Sequence, residues 1–116
     1  MNLDAKINMV GSEIVKAIKN KDKDNDKTKY KNYIDKALGV LANDGVYAYW
    51  VYCKANKISN VFINKLKELQ KIINDEEDNE KFFRNLSNNL NQLLFFKEML
   101  EKALIYARYH AKAGNE

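Results

Sequence analysis

The chain has 116 residues, with 20 Lys plus Arg against 16 Asp plus Glu, four glycines, one cysteine and no proline. At 46% hydrophobic and 31% charged it holds enough apolar side chains for one core, which excludes a disordered tail, and its length suits a single domain over 1–116. The formal charge of +4 hides a division: residues 75–80 carry five acids and no base, so the remaining 110 residues carry +9, which points to an acidic partner.

Helix interiors reject proline by about 3 kcal/mol, whereas turn-rich β folds use it freely, so its absence favours an all-α fold, a compact bundle of five to six helices. Leu3, Ile7, Val10, Ile14, Ala17 and Ile18 recur at helical spacing and predict a first amphipathic helix. Residues 20–27 have no apolar side chain and alternate in charge, which predicts a solvated, flexible loop. Their alternating Asp residues resemble the opening of a calcium loop, but Lys27 stands where that loop needs Gly and Tyr33 where it needs a bidentate Glu. From an N-cap at Asp26 or Thr28, a second helix is expected with Tyr30, Tyr33, Ile34, Ala37, Leu38 and Leu41 on one face, closed by Asn43-Asp44-Gly45.

Residues 46–53 are apolar or aromatic on every side. Their composition would suit a strand, yet nothing else in the chain reads as a partner strand, so a short central helix is expected, with Trp50 filling the core. Ser59 is a plausible N-cap for a fourth helix, with Ile58, Val61, Phe62, Leu66, Leu69, Ile72 and Ile73 forming a broad apolar face. On one continuous helix, Asn60, Asn64, Lys67 and Lys71 fall opposite that face, and Lys65 falls inside it, where its stem would snorkel. The acidic run 75–80 is expected as a second flexible loop that lends negative charge to the start of the next helix, around Phe82, Phe83 and Leu86.

An Asn-rich stretch at 88–91 predicts a kink or a short break before a last long helix reaching about Ala113, built on Leu93, Phe96, Leu100, Ala103, Leu104, Ala107 and Ala111. On its polar side Lys97, Glu101, Arg108 and Lys112 form a narrow stripe. Leu94, Ile105 and Tyr109 lie beside that stripe and face away from the core. A basic line next to exposed apolar residues suits a surface that meets both nucleic acid and a neighbouring subunit.

Catalytic chemistry has few candidates. His110 is the one histidine, with no second ligand at a metal-binding spacing, and no Gly-rich phosphate loop exists. Small helical ribonucleases of the HEPN kind place a histidine four to six residues after an arginine, whereas here Arg108 precedes His110 by two. No catalytic residue, metal, cofactor or small-molecule substrate is therefore expected. The lone Cys53 reads as a buried small hydrophobe in a reducing, cytoplasmic setting. The first residues lack a signal-peptide pattern, and the longest apolar run, 45–53, is under half a membrane span.

Two segments carry a family likeness. The first runs from Tyr30-Lys31-Asn32-Tyr33 through Ala37-Leu38-Gly39-Val40-Leu41-Ala42-Asn43-Asp44-Gly45-Val46-Tyr47-Ala48-Tyr49-Trp50. It has a tyrosine-led helix, an aliphatic stretch, a short polar turn ending in Gly plus an aliphatic residue, and an apolar aromatic helix. The second is Gln92-Leu93-Leu94-Phe95-Phe96-Lys97-Glu98-Met99-Leu100 through Ile105-Tyr106-Ala107-Arg108-Tyr109, a last helix ending in an aromatic and basic cluster. Together they resemble the small, all-helical subunit of type III CRISPR RNA-guided effector complexes, first in the Cmr (type III-B) branch and second in the Csm (type III-A) branch. The resemblance implies a structural subunit in antiviral defence. Its partners would be other CRISPR effector subunits and copies of itself, stacked beside guide RNA and target RNA and contacting the paired strands without cutting them.

In such complexes base pairing reads sequence and protein subunits hold the duplex through its shape and phosphates. Eighteen of the twenty basic residues are lysine, which suits phosphate contact more than bidentate base reading. The candidates are Lys97, Arg108 and Lys112 on the last helix, with Lys54, Lys57, Lys67 and Lys71 around the third and fourth. Leu94, Ile105 and Tyr109 are the candidate subunit interface. Among the basic residues, Arg108 alone occupies a family-like position. The rival expectation is a helical protein-interaction adaptor or antitoxin-like partner with no nucleic-acid role.

Overall fold

Apolar residues at helical spacing become helices along nearly the whole chain: α1 (Leu3–Asn25), α2 (Lys29–Asp44), α3 (Val46–Ala55), α4 (Ser59–Phe62), a 3-10 turn (Asn64–Leu66), α5 (Lys67–Ile73), α6 (Asn79–Leu86) and α7 (Leu90–Ala113). This computed structural model describes residues 2–25 and 29–114, the side chains of 23–25 and 29 excepted, and contains no strand among them. The all-α bundle expected from composition is what forms. No helix among the described residues is long and apolar enough to cross a membrane.

α1 buries Ile7, Val10, Ile14, Val15 and Ile18, as its stripe predicts, but it continues to Asn25 through most of the segment expected as a loop. Charged residues cost a helix only tenths of a kcal/mol each, and no Gly or Pro interrupts the run. The extension also reaches a neighbour. The Asp22 carboxylate accepts the first-turn amides of α2 at Tyr30 (2.9 Å) and Lys31 (3.1 Å), so an α1 side chain satisfies two of α2's unpaired donors. Asp26 and Thr28, expected as N-caps, lie outside the described residues.

Gly45 closes α2 and opens α3 in one step. Its N–H donates to Leu41 and its carbonyl accepts from Tyr49, with φ at 97°, a backbone region open to glycine and strained for other residues. α3 is the central helix expected, with Val46, Tyr49, Trp50 and Cys53 buried.

The fourth helix forms in three pieces. Ser59 is its first helical residue, and Ile58 takes the capping position, leaving the buried Ser59 Oγ without a partner among the described residues. The helix breaks at Ile63 because the Tyr49 hydroxyl donates to the Phe62 carbonyl at 2.6 Å, while the Leu66 amide turns to Ile63 instead. A tertiary hydrogen bond thus replaces a helical one. Lys65 lies within the 3-10 turn and is exposed rather than set inside the apolar face, and downstream Gln70 is buried. The acidic run leads into α6 as expected, with Asp78 accepting from the Lys81 amide and Glu80 in the first turn. A short turn comes after Leu86, and Asn89 caps α7 through the Gln92 amide.

One core unites these elements, and its most extensive helix–helix contact joins α1 to α7. Gly11 makes this approach possible: a Cβ there would stand 2.8 Å from the Ala103 carbonyl oxygen and 2.9 Å from Tyr106 Cβ. Around Phe83 the rings of Trp50, Phe82 and Phe96 pack within 6 Å, joining α3, α6 and α7.

Burial pushes the Cys53 thiol up to about 12 from 9.0, and burial raises Tyr49 well above 10. Both groups keep their protons longer folded than unfolded, so their stabilising effect is complete below pH 9 and fades as pH rises. Each unit between pH 9 and about 12 is expected to remove about 1.4 kcal/mol through Cys53, with Tyr49 adding its share above pH 10. Urea unfolding across that range should show a shallower decline for Cys53→Ala than for the parent; parallel curves would contradict the assignment.

Candidate nucleic-acid interface

The last turns of α7, the first turns of α2 and the end of α1 converge. Between α2 and α7 a groove of about 190 Å³ is lined by Lys31, Ile34, Asp35, Arg108, Ala111 and Lys112, three cations to one anion. Lys31 and Asp35 stand one turn apart on α2, and Arg108 and Lys112 one turn apart on α7, so each helix presents one polar edge beside its buried face. Lys19 of α1 lies against Gly114, where its charge complements the α7 C-terminus.

Arg108 is the centre of this groove. Its Nη1 lies 3.6 Å from Asp35 Oδ1, beyond hydrogen-bonding distance, and its Nε is buried with no acceptor among the described residues. The rest of the side chain is partly exposed, and its guanidinium fork, held among the described residues only by this loose contact, suits two oxygens of a phosphate. Lys112 is exposed, with no ion pair to any described residue.

The other candidates lie elsewhere. Lys97 is half-buried and 3.8 Å from Glu101 on its own helix. Lys54 sits 3.7 Å above the Trp50 ring centroid, a cation–π contact that also places positive charge in the last turn of α3. Lys57 occupies the left-handed region at φ 58°, at the end of α3, where the Ile58 amide reaches back to Cys53 and the Lys57 amide to Lys54. Glycine is the usual residue there, and a lysine costs roughly 1 kcal/mol by comparison.

Lys67 and Lys71 face the acidic run rather than the basic groove. They line a cavity with Gln70, Asp75, Glu76 and Glu77. Lys67 Nζ donates to the Glu77 carbonyl (3.0 Å) and to Asn79 Oδ1 (2.6 Å), tying the acidic loop and the start of α6 to α5. Lys71 pairs loosely with Glu68 at 3.7 Å. Of the seven basic candidates, then, the groove unites Arg108 and Lys112.

Lys31 is the groove residue that sequence reasoning missed as a ligand. Its signal was present: Lys31 and Asp35 flank the apolar residue Ile34 at the spacing of one turn. A second polar groove, between α1 and α4, is lined in part by Lys16, Asn20, Asn60 and Lys65, with Lys16 held to Glu13 at 3.5 Å. The expected interface residues point outward: Leu94 and Tyr109 are 54% and 62% exposed, and Ile105 is half-buried. Among the described residues no group of three His, Cys, Asp or Glu side chains is placed to hold a metal ion. Comparison with protein-family models, curated proteins and solved structures finds no match to the chain in any of the three.

Proposed function

We propose that this protein is a non-catalytic small subunit of a type III CRISPR RNA-guided effector complex, working in the cytoplasm. In this reading it joins other effector subunits and copies of itself and touches the backbone of the guide–target RNA duplex. The observation that carries the reading is the groove between α2 and α7. Arg108, the basic residue at the family-like position, there meets Lys31 and Lys112, its exposed end held among the described residues only by a loose 3.6 Å contact with Asp35. Phosphate oxygens would take over the loose contact with Asp35, giving sequence-independent attachment, while base pairing between the RNA strands supplies specificity.

The test is salt-dependent binding of an RNA duplex by the assembled complex, where several copies act together. A combined Lys31→Ala, Arg108→Ala and Lys112→Ala variant is expected to weaken binding and make the log–log salt slope shallower by about 2 to 3. Unchanged affinity and slope would remove this surface from the proposal. A protein-interaction adaptor is the second reading, favoured by the exposed Leu90, Leu94 and Tyr109 on α7. Full retention of a protein partner with no RNA affinity in the assembly would favour it.

A further inference from the structure

The outward face of α7 reads nearly the same from either end. About the midpoint between Met99 and Leu100, Glu98 mirrors Glu101 and Lys97 mirrors Lys102; further out, Leu94 mirrors Ile105 and Leu90 mirrors Tyr109. Each half thus runs from lysine and glutamate near the centre to two apolar residues outside. Leu90 is 66% exposed, and Leu94 and Tyr109 are also open to solvent. No described element covers them.

We infer that this face pairs with the same face of a second copy, the two α7 helices running antiparallel about a two-fold axis. A two-fold contact requires a surface complementary to itself, which a face of this symmetry supplies. Leu94 then packs against Ile105 of the partner subunit near the middle of the stripe, and Leu90 and Tyr109 extend the apolar contact at its ends on opposite flanks. The charges match as well. Lys97 and Glu101 lie on one flank of the stripe, 3.8 Å apart, and Glu98 and Lys102 on the other, 3.5 Å apart. The two-fold axis sets each flank opposite its own copy, so Lys97 meets Glu101 of the partner subunit and Glu98 meets Lys102 of the partner subunit. Both ends of the seam are apolar and its centre is charge-neutral.

The size of the contact sets its strength. The stripe spans roughly 30 Å of helix and buries on the order of 400 Å² per copy, below what long-lived complexes use, so a weak dimer is expected, with a dissociation constant of roughly 10 to 300 µM. Such a pair is closed, unlike an open-ended stack, and needs no RNA, so it stands or falls separately from the groove between α2 and α7.

Sedimentation equilibrium of the full chain without nucleic acid, up to about 1 mM, tests this directly. A monomer–dimer equilibrium that stops at the dimer is expected, and Leu94→Glu with Tyr109→Glu should leave a monomer with unchanged far-ultraviolet circular dichroism. Lys102→Glu alone should weaken the dimer at least about five-fold, and Glu98→Lys combined with Lys102→Glu should restore it to within about two-fold, since only a direct contact is rescued by exchanging its charges. A parent chain monomeric at the highest concentration overturns the inference. So does assembly beyond the dimer, a dimer indifferent to Leu94 and Tyr109, or a charge exchange without rescue.

Discussion

Phe83→Ala is expected to lower the unfolding free energy by about 3 to 5 kcal/mol, a large part of the roughly 5 to 15 kcal/mol that holds a domain of this size together. The ring is 1% exposed and stacks on Trp50 at 5.5 Å with its plane tilted by 13°. Its edges meet Phe82 at 5.3 Å and Phe96 at 5.8 Å. Three helices contribute to this cluster, so no one of them can move in to fill the gap without losing contacts elsewhere. Urea unfolding followed by circular dichroism gives the magnitude, and Trp50, the one tryptophan, reports the lost stack through its fluorescence. Phe83→Leu, which keeps most of the volume, should cost about 1 to 2 kcal/mol. A loss under about 1 kcal/mol for the alanine variant would mean that the neighbouring rings collapse into the space.

The second large effect is at Gly11, and it has the opposite sign to the general rule. In an exposed helix interior, Gly to Ala stabilises by up to about 1 kcal/mol. At Gly11 the new methyl would meet the Ala103 carbonyl oxygen at 2.8 Å and the Ala107 nitrogen at 3.0 Å, backbone atoms that move only if α7 moves. Separating the helices is expected to outweigh the propensity gain and leave Gly11→Ala about 2 kcal/mol less stable than the parent, with Gly11→Val worse. Gly39 is the control: it also lies inside a helix, but a Cβ there meets nothing within 4 Å. Gly39→Ala should raise the melting temperature while Gly11→Ala lowers it, and shifts of the same sign would refute the close approach.

Periodicity made the helices that face the core legible. The stripes on α1, α2 and α7 mark the faces that are buried, and the apolar run 46–53 becomes a helix because no strand partner exists. The break at Ile63 was not legible, since it depends on a hydroxyl thirteen residues before Phe62 whose position only the tertiary fold decides. Lys65, expected inside the apolar face, lies within that break and is exposed. The helical course of 20–25 was hidden for a similar reason: composition reports solvation, whereas the bond from Asp22 to α2 is a contact between elements.

The candidate interface divides along the same line. Arg108 and Lys112 could be read from their shared helix edge, but Lys31 joins them only when α2 packs beside α7. Lys67 carries the same charge and a comparable pattern, yet its donors are committed to Glu77 and Asn79. Sequence shows which lysines share a helix face; it does not show which of them the chain itself has already engaged.

The α1–α7 contact also bears on how the chain reaches this state. Asn8 and His110 meet at 2.8 Å across 102 positions of sequence, and Gly11 fits against Ala103 and Ala107 from nearly as far. During synthesis, the apolar face of α1 has its main partner only after α7 has emerged, so until then it must be tolerated by solvent or shielded by a chaperone. Closing so large a loop before any reward is collected slows folding relative to bundles whose neighbours in space are neighbours in sequence. The protein joins its first helix to its last, and the slow step of folding is expected to be that closure.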